Sequence, residues 1–253
     1  MSYAGHRRTS YLALVAVVAL ALSACASTTS ANKAKPHSTT SATSATMTGN
    51  SAAALFQQLR KSGAAAKSVR VKGVITNGSI TNKAVKVQID IAGDRAGKNT
   101  RAIVNDGTGA IEILTAGGQT YLKADKAYWT KNGTPANAKL AAGKYIKVPT
   151  GSAAGTGIPT VGKLLDQLFA TNISTADKLN TKVKKTVVNG VPAYLMTTKA
   201  DDTKIYVSAD GKALLMRVVG SKGQQTTLDF TEWNAVPPMS APTADQLAKI
   251  QGL

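Results

Sequence analysis

Val85, Val87, Ile89 and Ile91 alternate with Lys86, Gln88 and Asp90. Side chains of a β-strand point to opposite faces in turn, so a period of two produces one apolar and one polar face. The same alternation runs through Ile111, Glu112 and Ile113, and again from Thr226 to Phe230. Turn signals stand between such runs at Asn77-Gly78, Asn105-Asp106-Gly107, Gly117-Gly118, Asn132-Gly133, Asn189-Gly190 and Asp210-Gly211. Several are the short pairs favoured between antiparallel strands. The pattern predicts about ten strands in a large meandering antiparallel sheet. A sheet that long must close or curl, and aromatic residues make up only 5% of the chain. An apolar helix lying inside a curled sheet solves the resulting burial problem.

Helical periods occur in three places. Ser51 reads as an N-cap, followed by Leu55, Phe56 and Leu59 on one face and Gly63 as the stop. Val161, Leu164, Leu165, Leu168 and Phe169 follow i, i+3, i+4, i+7, i+8, one broad apolar stripe. Near the end, Thr243 is placed to cap a short helix carrying Leu247 and Ile250.

The N-terminal stretch constrains location. Arg7 and Arg8 precede an apolar run from Tyr11 to Leu22, too short for a membrane-spanning helix and of the length of a secretory h-region. The run ends in Leu22-Ser23-Ala24-Cys25, and Cys25 is the only cysteine. This tetrapeptide resembles the bacterial lipobox, in which the cysteine sulfur receives a diacylglycerol and the peptide is cut before it. Residues 1–24 are therefore expected to be a lipoprotein signal peptide and Cys25 the lipidation site, with two chains sufficient for stable anchoring on the extracytoplasmic face of the cell membrane. Residues 25–50, rich in Ser, Thr and Ala, read as a tether, and 51–253 as one folded domain.

Removing residues 1–24 takes away two of 31 basic residues and none of the 13 acidic ones, leaving a net charge of +16. Outside a cell the anionic partners at hand are phospholipid headgroups and phosphate-bearing wall polymers rather than nucleic acid. The two histidines, His6 and His37, lie in the signal and the tether. A domain with neither His nor Cys lacks the usual Ser-His-Asp and Cys-His arrangements and the usual zinc ligands. No carboxylate pair stands out by spacing. Gly157 to Lys163 matches the Gly-x4-Gly-Lys phosphate-cradling loop, but Leu164 stands where a Ser or Thr must hold magnesium. No catalytic residue, metal or cofactor is expected.

Four stretches carry a family likeness: YLKADKAYWTKNG (Tyr121 to Gly133), NGVPAYLMTT (Asn189 to Thr198), KIYVSADGKALLMRV (Lys204 to Val218) and FTEWNAVPPMSAPTADQL (Phe230 to Leu247). In this order, behind a lipobox, they resemble the LppX/LprAFG group of actinobacterial lipoproteins, whose fold is similar to that of the lipoprotein carrier LolA. The resemblance implies an α+β fold: a strongly curved antiparallel half-barrel with helices on its concave side and an apolar cavity holding acyl chains. It implies a non-enzymatic lipoprotein that binds a lipid or lipoglycan and carries it across the envelope, with a membrane transporter as a further partner.

The cavity wall is then expected to draw on Val87, Ile89, Ile103 and Ile113, on Leu214, Met216 and Val218, on helical Leu164, Leu165, Leu168 and Phe169, and on Trp129. Lys123, Lys126 and Lys131 around Trp129 are the candidates for an anionic headgroup. The rival reading is an envelope module that uses the half-barrel as a solid scaffold and its charge to hold an anionic wall polymer or a partner protein.

Overall fold

The computed structural model describes residues 51–78, 84–132, 135–149, 160–170, 179–180, 182–221 and 226–249. The signal, Cys25, the tether, Gly157 to Pro159 and Ile250 lie outside the described residues.

Helix α1 (Ala52–Ala65) leads into strands β1 (Ser68–Gly78), β2 (Ala84–Asp94), β3 (Thr100–Asn105), β4 (Ala110–Ala116) and β5 (Gln119–Ala124). Two short helices follow, α2 (Lys126–Asn132) and α3 (Pro135–Ala141), then β6 (Tyr145–Lys147) and helix α4 (Val161–Ala170). The chain ends with β7 (Lys184–Val188), β8 (Val191–Thr197), β9 (Lys204–Ser208), β10 (Leu215–Val219), β11 (Thr227–Thr231) and a single 3₁₀ turn at Ala244–Gln246. The eleven strands form one sheet in the order β6-β5-β4-β3-β2-β1-β11-β10-β9-β8-β7, antiparallel throughout and unclosed. Two meanders, β1 to β6 and β7 to β11, are joined where β1 pairs with β11. The meandering sheet is as the alternation indicated and the α+β class as the resemblance implied, with eleven strands among the described residues where about ten were expected.

Curvature follows from the core. One buried cluster joins α1 and α4 to residues of seven adjacent strands, from Met196 on β8 across to Ala102 on β3. At about 4.8 Å per strand, seven strands span roughly 29 Å, whereas two packed helices cover about 20 Å. All seven can share one core with two helices only if the sheet curls round them.

Local chemistry explains the boundaries. Ser51 caps α1, its hydroxyl accepting from Ala54 N at 3.2 Å. Gly63 does not stop that helix, which runs on to Ala65. A Cβ at Gly63 would lie 2.3 Å from Phe169 Cε2, so the glycine serves close approach of α4. The Asn189-Gly190 pair does turn β7 into β8, with φ of 51° and 81°, both left-handed as a tight hairpin requires.

Asn77 and Gly78 instead pair with Val85 and Ala84 inside the β1–β2 ladder, and Asn132 ends α2. The short helices α2 and α3 interrupt what read as strand and turn. Asp125 starts the first of them, its carboxylate accepting from Tyr128 N at 2.7 Å. Pro135 occupies the first position of the second, where its missing N–H costs nothing. The expected C-terminal helix shrinks to one turn because Leu247 forms a parallel bridge to Tyr145 and Ala248 N donates to Tyr145 O at 2.8 Å. The backbone there is committed to the exposed edge at β6, a common way of blunting an edge strand.

Candidate functional site

The concave face is apolar, but its burial is divided. The first core gathers Ile89, Leu164, Leu165, Leu168, Phe169 and Val218 with α1 and five further strands, and Val87 packs against it half-buried. The second holds Ile113, Leu122 and Val148, with Trp129 of α2 packed on them. Ala102 and Ile113 are cross-strand partners, yet they belong to different clusters. The seam between the two cores therefore follows the β3–β4 pairing, with α1 and α4 covering one side and α2 the other. Trp129 carries the indole N–H into the second core, where it has no hydrogen-bond partner among the described residues.

Three of the expected wall residues stand elsewhere. Ile103 pairs with Glu112 and Asp90, which places it on the opposite, convex face. On β10 a register shift between Leu215 and Arg217 breaks the alternation. Leu215 and Val218 consequently enter the core, while Leu214 and Met216 are only half-buried. Trp233 stacks on Phe230 and donates to Leu215 O at 2.9 Å.

The convex face has the opposite chemistry. One row crosses all eleven strands: Tyr145, Lys123, Glu112, Ile103, Asp90, Lys72, Asp229, Arg217, Tyr206, Leu195 and Lys184. Arg70 grips Asp90 with both Nε and Nη2, at 2.8 and 2.7 Å, and reaches Glu232 with Nη1 at 3.0 Å. Arg217 Nε meets Asp229 Oδ1 at 2.6 Å. Buried Glu112 accepts from Arg101 Nε at 2.6 Å and from the Tyr145 hydroxyl at 2.7 Å.

These contacts set the titrations. Burial alone would push the Glu112 carboxyl up, but the Arg101 and Tyr145 hydrogen bonds and the Arg101 and Lys123 charges hold it below its ordinary value. The Arg70 hydrogen bond outweighs burial and holds Asp90 down as well. Tyr145 is pushed up to about 12, by burial and then by the adjacent Glu112 carboxylate. Lys123 belongs to this network, 3.9 Å from Glu112 Oε2 and over the Tyr145 ring. It lies on the other side of the sheet from the Trp129 core, so the three lysines do not gather round that indole.

A separate groove of about 610 Å³ opens between α1 and α4, lined by Gln57, Arg60, Lys61, Ala64, Arg95, Asp166 and Phe169. Arg95 sits in the turn after β2. Its Nη1 donates to Gly63 O at 3.0 Å and its Nη2 pairs with Asp166. Gly162 permits this, since a Cβ there would lie 2.3 Å from the Arg95 carbonyl oxygen. Thr160 caps α4, its Oγ1 accepting from Lys163 N at 3.2 Å. Arg60 and Lys61 were legible as the exposed side of a helix whose apolar side is Leu55, Phe56 and Leu59. Arg95 was not, because nothing local announces that a turn residue thirty-odd positions away meets the helix pair.

Among the described residues no group of three His, Cys, Asp or Glu side chains converges to hold a metal ion, and no helix is long and apolar enough to cross a membrane. What the arrangement offers is burial and charge, an apolar interior in two compartments and a basic groove beside the larger one.

No protein-family model matches the chain, and no curated protein matches it. Solved structures do. LprF from Mycobacterium bovis is 15% identical, over 76% of this chain and 96% of its own, with a TM-score of 0.48. The lipoprotein LppX from Mycobacterium tuberculosis is 12% identical, over 75% of this chain and 97% of its own, with a TM-score of 0.40. MucB in its complex with MucA is 13% identical, over 79% and 62%, with a TM-score of 0.32.

Proposed function

We propose that the mature protein is a lipoprotein anchored through Cys25 on the extracytoplasmic face of the cell membrane. It binds a lipid or lipoglycan by its acyl chains, between the concave face of the sheet and the helices that cover it, and carries that ligand without chemical change. The observation that supports this most is the divided concave face: one apolar surface, covered by separate helices, with a seam between two cores that cross-strand partners fail to join. Chains inserted along that seam would meet apolar walls on both sides.

The energetics suit a carrier. Burial is worth about 0.8 kcal/mol per methylene, so a chain of about sixteen carbons gains roughly 12 kcal/mol on leaving water. A bilayer offers the same chain a similar gain, so exchange between membrane and protein is nearly balanced and can run either way. The domain's lack of His and Cys accords with a role that needs no nucleophile or metal.

The net charge of +16 after signal removal favours one second reading, an envelope module holding an anionic wall polymer or a partner protein on a solid scaffold. Salt separates the two. The mature chain with Cys25→Ser is incubated with phosphatidylcholine vesicles, the vesicles are sedimented, and the soluble fraction is extracted. Lipid at a fixed ratio to protein, unchanged between low and 1 M salt, is the expected result, because burial of chains is not screened. A soluble fraction free of lipid, together with wall-polymer binding that collapses on adding salt, would favour the module.

A further inference from the structure

The acyl-chain reading leaves the polar end of the ligand without a place, and Lys123, tied to Glu112 on the convex face, does not join Lys126 and Lys131 in one site around Trp129. We infer that the groove between α1 and α4 receives the phosphate-bearing headgroup of an anionic lipid, held by Arg60, Lys61 and Arg95.

Three cationic side chains and one carboxylate line this groove. The carboxylate, Asp166, is already matched by Arg95, so Arg60 and Lys61 leave an excess of two positive charges. Among the described residues neither has an ion-pair partner. Arginines on the sheet behave differently, since Arg70, Arg101 and Arg217 each hold a carboxylate. Arg95 is fixed in place by Gly63 O and Asp166, and among the described residues its Nε has no acceptor. A guanidinium held in that way loses little freedom when it binds a phosphate.

Phe169, on the groove wall, is only 8% exposed and belongs to the first core. A headgroup seated over it lies against the first core, on the α1–α4 side of the seam. The volume of about 610 Å³ lies within the ordinary range of small-molecule sites.

The test is a competition that rests on the acyl-chain reading and can fail separately from it. The mature chain with Cys25→Ser is loaded from vesicles holding phosphatidylglycerol and phosphatidylcholine in equal amounts, and the lipid it retains is identified after extraction. The unaltered groove should enrich phosphatidylglycerol. Arg60→Gln with Lys61→Gln should lower that enrichment about tenfold while total lipid per protein stays the same; both residues are exposed, so the fold should be unaffected. Lys184→Gln with Lys204→Gln removes the same charge from exposed positions on β7 and β9 and should leave enrichment unchanged. Enrichment that survives the groove variant, or that falls equally in both variants, overturns the headgroup site while leaving chain binding in place. Uptake of neither lipid overturns chain binding, and the headgroup site with it.

Discussion

The two faces of one sheet carry the same strands and opposite chemistry. On the concave side Val69, Val71, Ile205, Val207 and Leu215 are wholly buried against α1 and α4. On the convex side the residues between them make a charged row with its ion pairs running from strand to strand. Non-directional burial holds the first face, and a few directed contacts order the second. The concave face can therefore exchange its contacts for those of a ligand at little cost, whereas the convex face cannot lose Glu112 or Asp90 without stranding a charge.

Replacements of unequal size test that contrast. Leu59→Ala should have the largest effect, because Leu59 has no exposed surface and such truncations cost about 2–5 kcal/mol; a denaturant midpoint barely changed would mean the concave core is not packed. Gly63→Ala forces a methyl to within 2.3 Å of Phe169 and should cost about 1–3 kcal/mol by overpacking. It should also disturb lipid uptake, since it separates α1 from α4.

On the other face, Glu112→Gln leaves Arg101 without its carboxylate and should cost about 1–3 kcal/mol with no effect on lipid uptake. Its pH signature is distinctive. Glu112 and Asp90 titrate lower in the folded state than unfolded, so the stability they contribute is complete above the ordinary carboxylate range near pH 4. It is lost as pH falls through their folded values, and thermal melts of the Gln variant should decline less steeply there. Tyr145 runs the other way: with its pKa pushed up to about 12, its contribution is complete below pH 10 and is lost between about 10 and 12. Tyr145→Phe should flatten that alkaline decline.

The smallest effect belongs to Lys72→Ala. Its ammonium is 3.8 Å from Asp90 and its side chain 68% exposed, so the change should lie within about 0.5 kcal/mol.

What could be read from the sequence was whatever a local period carries. The alternation from Val85 to Ile91 and the stripe from Val161 to Phe169 gave the sheet, the helix and the part of the first core that they supply. Failures came where a distant partner decides. Leu214 and Met216 read as one face with Val218 until a bulge put Leu215 inward beside Val218 in their place. Gly63 read as a stop because its meaning lies in Phe169, far along the chain. Leu247 left its helix for the edge at β6. The Arg95 contribution to the groove belongs to the same class, since a turn residue acquires its neighbours only once α1 and α4 are docked.

The most direct test of acyl-chain binding is native mass spectrometry of the mature protein purified from its own host membrane, followed by lipid extraction. The expected result is a bound lipid or lipoglycan at fixed stoichiometry, released on unfolding, beyond any mass joined covalently to the chain. A protein that carries no releasable lipid, and takes up none from host lipids, would contradict it.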